Sequence, residues 1–213
     1  GGLPALAEKI HGLGLKFGLW VEPEMISEDS DLYREHPDWA LTIPGRNPVH
    51  ARNQLVLDFS RKEDVDHIFD QICKVLDQGN IEYVKWDMNR SLMDVFSRGT
   101  KDQGRVMYDY VIGLYDFLER IVTRYPDLLI EGCSDNTDAL DRLQIQYGTS
   151  FGYPISAVGS HVSAVPNHQT GRITSLHTRG VVAMAGTFGY ELNLGKLSEE
   201  EKEDLFERIE QGD

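Results

Sequence analysis

Short apolar runs alternate along this chain with longer stretches in which apolar residues return every three to four positions. This is the pattern of strands and helices taking turns in a parallel α/β architecture. Leu6, Ile10 and Leu13 recur at helical spacing, and the glycines at 12 and 14 then lead into a strand-like run from Lys16 to Val21. Leu55 to Phe59 reads as the next strand. Ser60 and Glu63 form a capping box ahead of a helical stripe, Val65, Ile68, Phe69, Ile72 and Leu76. Tyr83 to Met88 predicts a strand, and Val106, Tyr110, Val111, Leu114, Leu118, Ile121 and Val122 predict a second helix ending before Pro126. Leu128 to Ile130 begins another strand. The segments beyond are less regular, but Thr187 to Leu194 has strand character, and Ser198 with Glu201 opens a terminal amphipathic helix.

The count is about six β-strand units, against eight in a closed (β/α)8 TIM barrel of roughly 250 residues. The expected fold is therefore an incomplete barrel lacking its N-terminal strands, with residues 1–213 forming one domain. The long connection from Glu22 to Arg52, rich in proline and charge, follows a strand, which is where a barrel puts its functional loops.

Composition narrows the chemistry. With 213 residues, 40% hydrophobic and 26% charged, the chain can bury a single core. Lys and Arg number 21 against 35 Asp and Glu, and the net charge of −14 argues against nucleic acid and anionic membranes as partners. No apolar run approaches the roughly 18 residues of a membrane span. Cys73 and Cys133 are too few for a disulfide framework, so a reducing, cytoplasmic setting is expected, although a chain starting at Gly1-Gly2-Leu3 leaves an upstream export signal open. The seven histidines form no metal-binding pair and no glycine-rich phosphate loop is present, so neither a metal nor an organic cofactor is expected.

Candidate catalytic groups sit at strand ends. Alternation puts Tyr83, Lys85 and Asp87 on one face of their strand and Val84, Trp86 and Met88 on the other. A buried Lys and Asp near a strand's C-terminal end need a reason: a structural ion pair, or a nucleophilic carboxylate that Lys85 keeps ionised. Cys133-Ser134-Asp135-Asn136-Thr137-Asp138 follows the next strand, and its residue types equally suit the N-cap of a helix beginning near Ala139. One carboxylate can cap while the other reaches a cleft. Trp20 and Glu22 share a face at another strand end, where an indole can stack on a sugar or simply pack in the core. Arg52 and Asn53 are either ligand-binding or a solvated loop pair.

These residues resemble the glycoside hydrolase family 36 α-galactosidases. The resemblance covers nearly the whole chain. It is carried by Phe17-Gly18-Leu19-Trp20-Val21-Glu22-Pro23-Glu24-Met25, Leu32-Tyr33-Arg34-Glu35-His36-Pro37-Asp38-Trp39, Arg52-Asn53-Gln54-Leu55-Val56-Leu57-Asp58, Tyr83-Val84-Lys85-Trp86-Asp87-Met88-Asn89, and Ser134-Asp135-Asn136-Thr137-Asp138 with Gln144-Ile145-Gln146-Tyr147-Gly148-Thr149-Ser150. It implies retaining, double-displacement hydrolysis of terminal α-linked galactose, with Asp87 as nucleophile and Asp135 as acid/base. It also implies sugar contacts from Trp20, Arg52, Lys85, Asn89 and Cys133. Retaining enzymes hold their two carboxyl groups roughly 5 Å apart. The implied partner is an α-galactoside oligosaccharide. Whether the parent enzyme is a homo-oligomer, as many members are, is left open.

The chain departs from the family in two ways. A glycine-rich stretch that members carry between the equivalents of Cys133 and Ser134 is absent: either the sequence is joined across a loop, which the good match of the flanks favours, or a true deletion removes sugar contacts and misplaces Asp135. The family's N-terminal β-sandwich, first barrel strands and C-terminal β-domain are also missing. Alternatives are a galactosyl transferase of the same family, a carbohydrate-binding barrel without turnover, and an aldolase-type barrel with Lys85 as its Schiff-base amine.

Overall fold

A computed structural model describes residues 1–133 and 138–211, the side chains of Cys133 and Gln211 aside. The chain divides into two compact units, Gly1–Ser134 and Asp135–Asp213.

The first unit is organised by a parallel sheet of three strands in the order β1 (Gly18–Val21), β4 (Tyr83–Asp87), β5 (Leu129–Cys133). Its register sets Trp20 beside Lys85, Lys85 beside Glu131 and Asp87 beside Cys133, so the C-terminal strand ends line up in one row. Helices α1 (Leu3–His11), α3 (Lys62–Leu76) and α4 (Val106–Arg124) belong to this unit, with a short α2 (Asp31–Glu35) in the long connection. The core lies between the sheet, α3 and α4. Phe117 is fully buried there, with Trp86 edge-on at 5.1 Å and Phe59 and Phe69 at 5.8 and 5.9 Å between ring centroids. Gly113 of α4 makes that approach possible, because a Cβ at this position would fall 1.9 Å from the Phe59 carbonyl oxygen.

Two expectations fail here for physical reasons. The apolar run at Leu55 gives only a two-residue strand, β3 (Leu55–Val56), which pairs antiparallel with β2 (Met25–Ile26) and not parallel in a barrel wall. A short buried run has no period that could tell these apart. Ser60 does not cap α3, whose N-cap is Arg61; its hydroxyl donates to Asp58 Oδ1 (2.5 Å) instead.

In the second unit β6 (Gly159–Ser163) and β7 (Thr187–Glu191) pair in parallel, with α6 (Leu176–Ala183) as the crossover. Its buried apolar centre is small, Val162, Leu176 and Ala183 backed by Phe188, Tyr190 and Leu192. Polar groups hold much of the rest. Arg142, buried on α5 (Ala139–Thr149), donates to the His161 carbonyl (2.5 Å), and Gln146 donates to Ser160 Oγ (2.5 Å). The terminal helix α7 (Glu199–Gln211) opens with the expected reciprocal cap: the Glu201 N–H donates to Ser198 Oγ (3.1 Å) and the Ser198 N–H to Glu201 Oε2 (2.9 Å). Among the described residues the strands form sheets of three, two and two, and no closed barrel is present. No helix of the described residues is long and apolar enough to cross a membrane.

Candidate active site

Strand β4 separates two environments by simple alternation. Val84 and Trp86 turn to the helices, where the Trp86 indole N–H donates to Glu24 Oε1 (3.0 Å) and Tyr110 donates its hydroxyl to the same carboxylate. Burial, then the negative Glu24 beside it, raises the Tyr110 phenol well above its ordinary range, so the phenol keeps its proton. The opposite face carries Tyr83, Lys85 and Asp87, as the sequence pattern required.

Asp87 ends the strand and is only 6% exposed. Its Oδ2 accepts hydrogen bonds from Trp20 Nε1 (3.0 Å) and Asn89 Nδ2 (2.5 Å), while Oδ1 is buried without a hydrogen-bond partner. One oxygen is thus fixed and the other left open. Trp20, 52% exposed as a residue, reaches it from the neighbouring strand and gives its indole N–H to the carboxylate. Lys85 pairs with Glu131 of β5 (3.7 Å), and Tyr83 donates its hydroxyl to that same glutamate. Among the described residues the donors on Asp87 are Trp20 and Asn89, and Lys85 shares its charge with Glu131.

Asn89 does more than a lone pocket residue would. Its amide nitrogen also donates to Glu22 Oε1 (2.6 Å), so one Nδ2 bridges two carboxylates. Glu22 Oε2 in turn accepts from Gln54 Nε2 (2.9 Å). Gln54 closes a tight two-residue turn against Ala51, with Arg52 and Asn53 at its tip in the left-handed region (φ 52° and 59°). Two positive φ values at the centre of such a turn are the type I′ signature, unusual for Arg, and strain of this kind concentrates at ligand-binding positions. Arg52 is exposed and its guanidinium has no partner among the described residues. Arg90 reinforces the turn by donating to the Gln54 carbonyl (2.6 Å), and burial lowers its pKa from the ordinary guanidinium value.

Four of the sequence-derived site residues, Trp20, Lys85, Asp87 and Asn89, thus gather at the ends of β1 and β4, with Arg52 linked to them through Gln54 and Glu22. Cys133 stands level with Asp87 at the end of β5, its side chain outside the described residues. Asp135 lies outside the described residues as well. Sequence reasoning missed the linking role of Glu22 and the parts played by Gln54, Arg90 and Glu131. For Glu22 a signal existed in its sharing a strand face with Trp20, but Gln54 and Arg90 join the site only through long-range contacts.

In the second unit Asp138 caps α5. Its Oδ1 accepts from the Leu140 N–H (3.0 Å), the Asp141 N–H (3.4 Å) and Arg172, and its Oδ2 from Thr170 Oγ1 (2.6 Å). Burial pushes this carboxyl up, but the bonds from Thr170, the two amides and Arg172 outweigh it and hold the group below the usual carboxylate range.

The sequence matches the melibiase family over residues 1–135 and again over 134–212. It is 61% identical over 229 aligned positions to the bifunctional α-galactosidase/sucrose kinase AgaSK of Mediterraneibacter gnavus, covering 98% of this chain and 24% of AgaSK. The solved galactosidase domain of AgaSK superposes with a TM-score of 0.87 at 60% identity, over 100% of this chain and 31% of that one. A doubly substituted variant of AgaA, a family 36 α-galactosidase of Geobacillus stearothermophilus, solved in complex with raffinose, matches with a TM-score of 0.88 at 48% identity, over 99% of this chain and 32% of that one. The chain therefore spans about a quarter to a third of the length of these relatives.

Proposed function

Since this chain belongs to the melibiase family, and within it to the family 36 α-galactosidases, we propose that it carries the nucleophile and much of the sugar pocket of a retaining α-galactosidase. The observation that carries the reading is the Asp87 carboxylate, buried at a strand end with Oδ2 held by two donors and Oδ1 unencumbered. In the first displacement Oδ1 attacks the anomeric carbon of a terminal α-galactoside as the bond to the leaving oxygen breaks, and Asp135 delivers its proton to that oxygen. In the second, Asp135 takes a proton from water, which attacks the same carbon and releases Asp87 with net retention. Trp20 offers an apolar ring face to the sugar, and Arg52, Lys85, Asn89 and Cys133 line the pocket. Raffinose-type oligosaccharides, like the one bound to AgaA, are the proposed substrates.

The two units are proposed to be parts of one (β/α)8 barrel domain. Three parallel strands with the catalytic carboxylate at their C-terminal edge support this reading, since barrels put their chemistry at that edge. A loop between 133 and 134 is proposed to be present in relatives and absent from this sequence. In support, the family match breaks at residues 134–135, and 229 aligned positions exceed the number of residues this 213-residue chain can contribute.

Hydrolysis of an aryl α-galactoside, with the anomer of the first-formed galactose followed by NMR, tests the function. Turnover giving α-galactose and lost in Asp87→Asn is the expected result. Inverted product, or turnover that survives Asp87→Asn, overturns the assignment, and galactose binding without turnover points to a binding barrel.

A further inference from the structure

We infer that Glu22 is a positioning residue that couples the nucleophile to the Arg52 turn, so that one carboxylate sets both the aim of Asp87 and the placement of the arginine. The inference rests on the α-galactosidase reading and deepens it. Glu22 sits just beyond the last residue of β1 and spends its two oxygens in different directions. Oε1 takes the Asn89 amide, whose nitrogen also bonds Asp87 Oδ2, and Oε2 takes the Gln54 amide at the base of the turn.

The chemistry of the bridge is specific. An amide nitrogen has two hydrogens, and with one committed to Glu22 the other is aimed at Asp87. Without Glu22, Asn89 is free to turn about its side-chain torsions, and Asp87 Oδ2 keeps only the Trp20 donor as a fixed restraint. The open oxygen then loses its alignment, and misplacements near 1 Å cost on the order of 100-fold in rate. The second arm works on binding. Arg52 holds a left-handed φ that its side chain does not favour, and the Gln54–Glu22 bond is one of the contacts that over-determine the turn.

The two arms are separable by experiment. Glu22→Ala cuts both, Gln54→Ala cuts only the arm to the turn, and Glu22→Gln can restore both, because Gln54 Oε1 is buried without a hydrogen-bond partner and accepts from the new amide if the Gln54 side chain flips. Steady-state kinetics on an aryl α-galactoside, normalised to active sites titrated with a covalent galactoside inactivator, read the result. Glu22→Ala is expected to lower kcat about 100-fold and to raise KM. Gln54→Ala, a turn substitution that leaves the Asp87 side intact, is expected to raise KM about tenfold, the size of one lost hydrogen bond to a charged group, with kcat close to wild type. Glu22→Gln is expected to regain most of the kcat.

Full kcat per titrated site in Glu22→Ala, or a Gln54→Ala variant that loses kcat and not KM, would overturn the inference while leaving the enzyme assignment standing. If Glu22→Ala does not fold, the Gln54→Ala split and the Glu22→Gln rescue decide alone. A wild-type protein with no turnover defeats the functional reading itself, and the inference with it.

Discussion

Two buried aspartates, one in each unit, receive opposite treatment. Asp138 has both oxygens occupied, with four donors among the described residues, and its carboxylate is consumed in fixing a helix start. Among the described residues Asp87 has two donors on one oxygen and none on the other. A carboxylate with every lone pair engaged can only hold structure, whereas one fixed on a single side keeps an oxygen for chemistry. Asp64 completes the series from the other end. It is fully buried at the first turn of α3 with neither oxygen hydrogen-bonded among the described residues, and the Arg61 guanidinium lies 3.5 Å away. Burial pushes its carboxyl up to about 8 against the opposing pull of Arg61.

The contrast can be broken most sharply at Asp87. Asp87→Asn is expected to lower turnover by on the order of 10⁴-fold or more, as removal of a nucleophile does, while the melting temperature stays level or rises because a buried, half-satisfied charge is gone. A large drop in melting temperature would put Asp87 in the same class as Asp138. Next in size, Phe117→Ala should cost about 3–5 kcal/mol in chemical denaturation, since it empties the aromatic cluster behind Trp86. That loss would show that the helix-facing side of β4 carries stability and the Asp87 side carries function. Asp138→Ala should cost about 1–2 kcal/mol, the range of a lost N-cap. Its carboxyl is held below the usual range, so this stabilisation is present above the unfolded carboxylate pKa of about 3.9 and disappears as pH falls through the depressed folded value. Equal losses in Asp138→Ala at pH 7 and pH 2 would sink that account.

The last test is a slope. The Asp64 carboxyl is raised when folded, so the native state keeps a proton that the unfolded chain releases, and stability declines as pH climbs from about 4 towards 8. Urea midpoints across that window should flatten in Asp64→Asn. An unchanged slope would mean the group is ionised in the fold.

What could be read from the sequence follows from how local each signal is. The two faces of β4, the reciprocal cap at Ser198 and the dual reading of the segment ending at Asp138 all depend on neighbours within a few residues, and the described parts of each match the structure. β6 went unread because Gly159-Ser160-His161-Val162-Ser163 has no apolar period. Its buried Ser160 and the His161 carbonyl are satisfied by Gln146 and Arg142 from α5, a partnership that appears only when the helix is in place. The site was half legible for the same reason. Alternation placed Lys85 with Asp87, but the Lys85–Glu131 pair and the Glu22 bridge join residues that lie tens of positions apart.

Gly113 carries a lesson for anyone who would make this protein sturdier. Exchanging a mid-helix glycine for alanine ordinarily firms a helix by thinning out the disordered chain's options. Here a single methyl group would strike the Phe59 carbonyl and lever α4 away from its neighbours, so a remedy that works on most helices should act on this one as a crowbar.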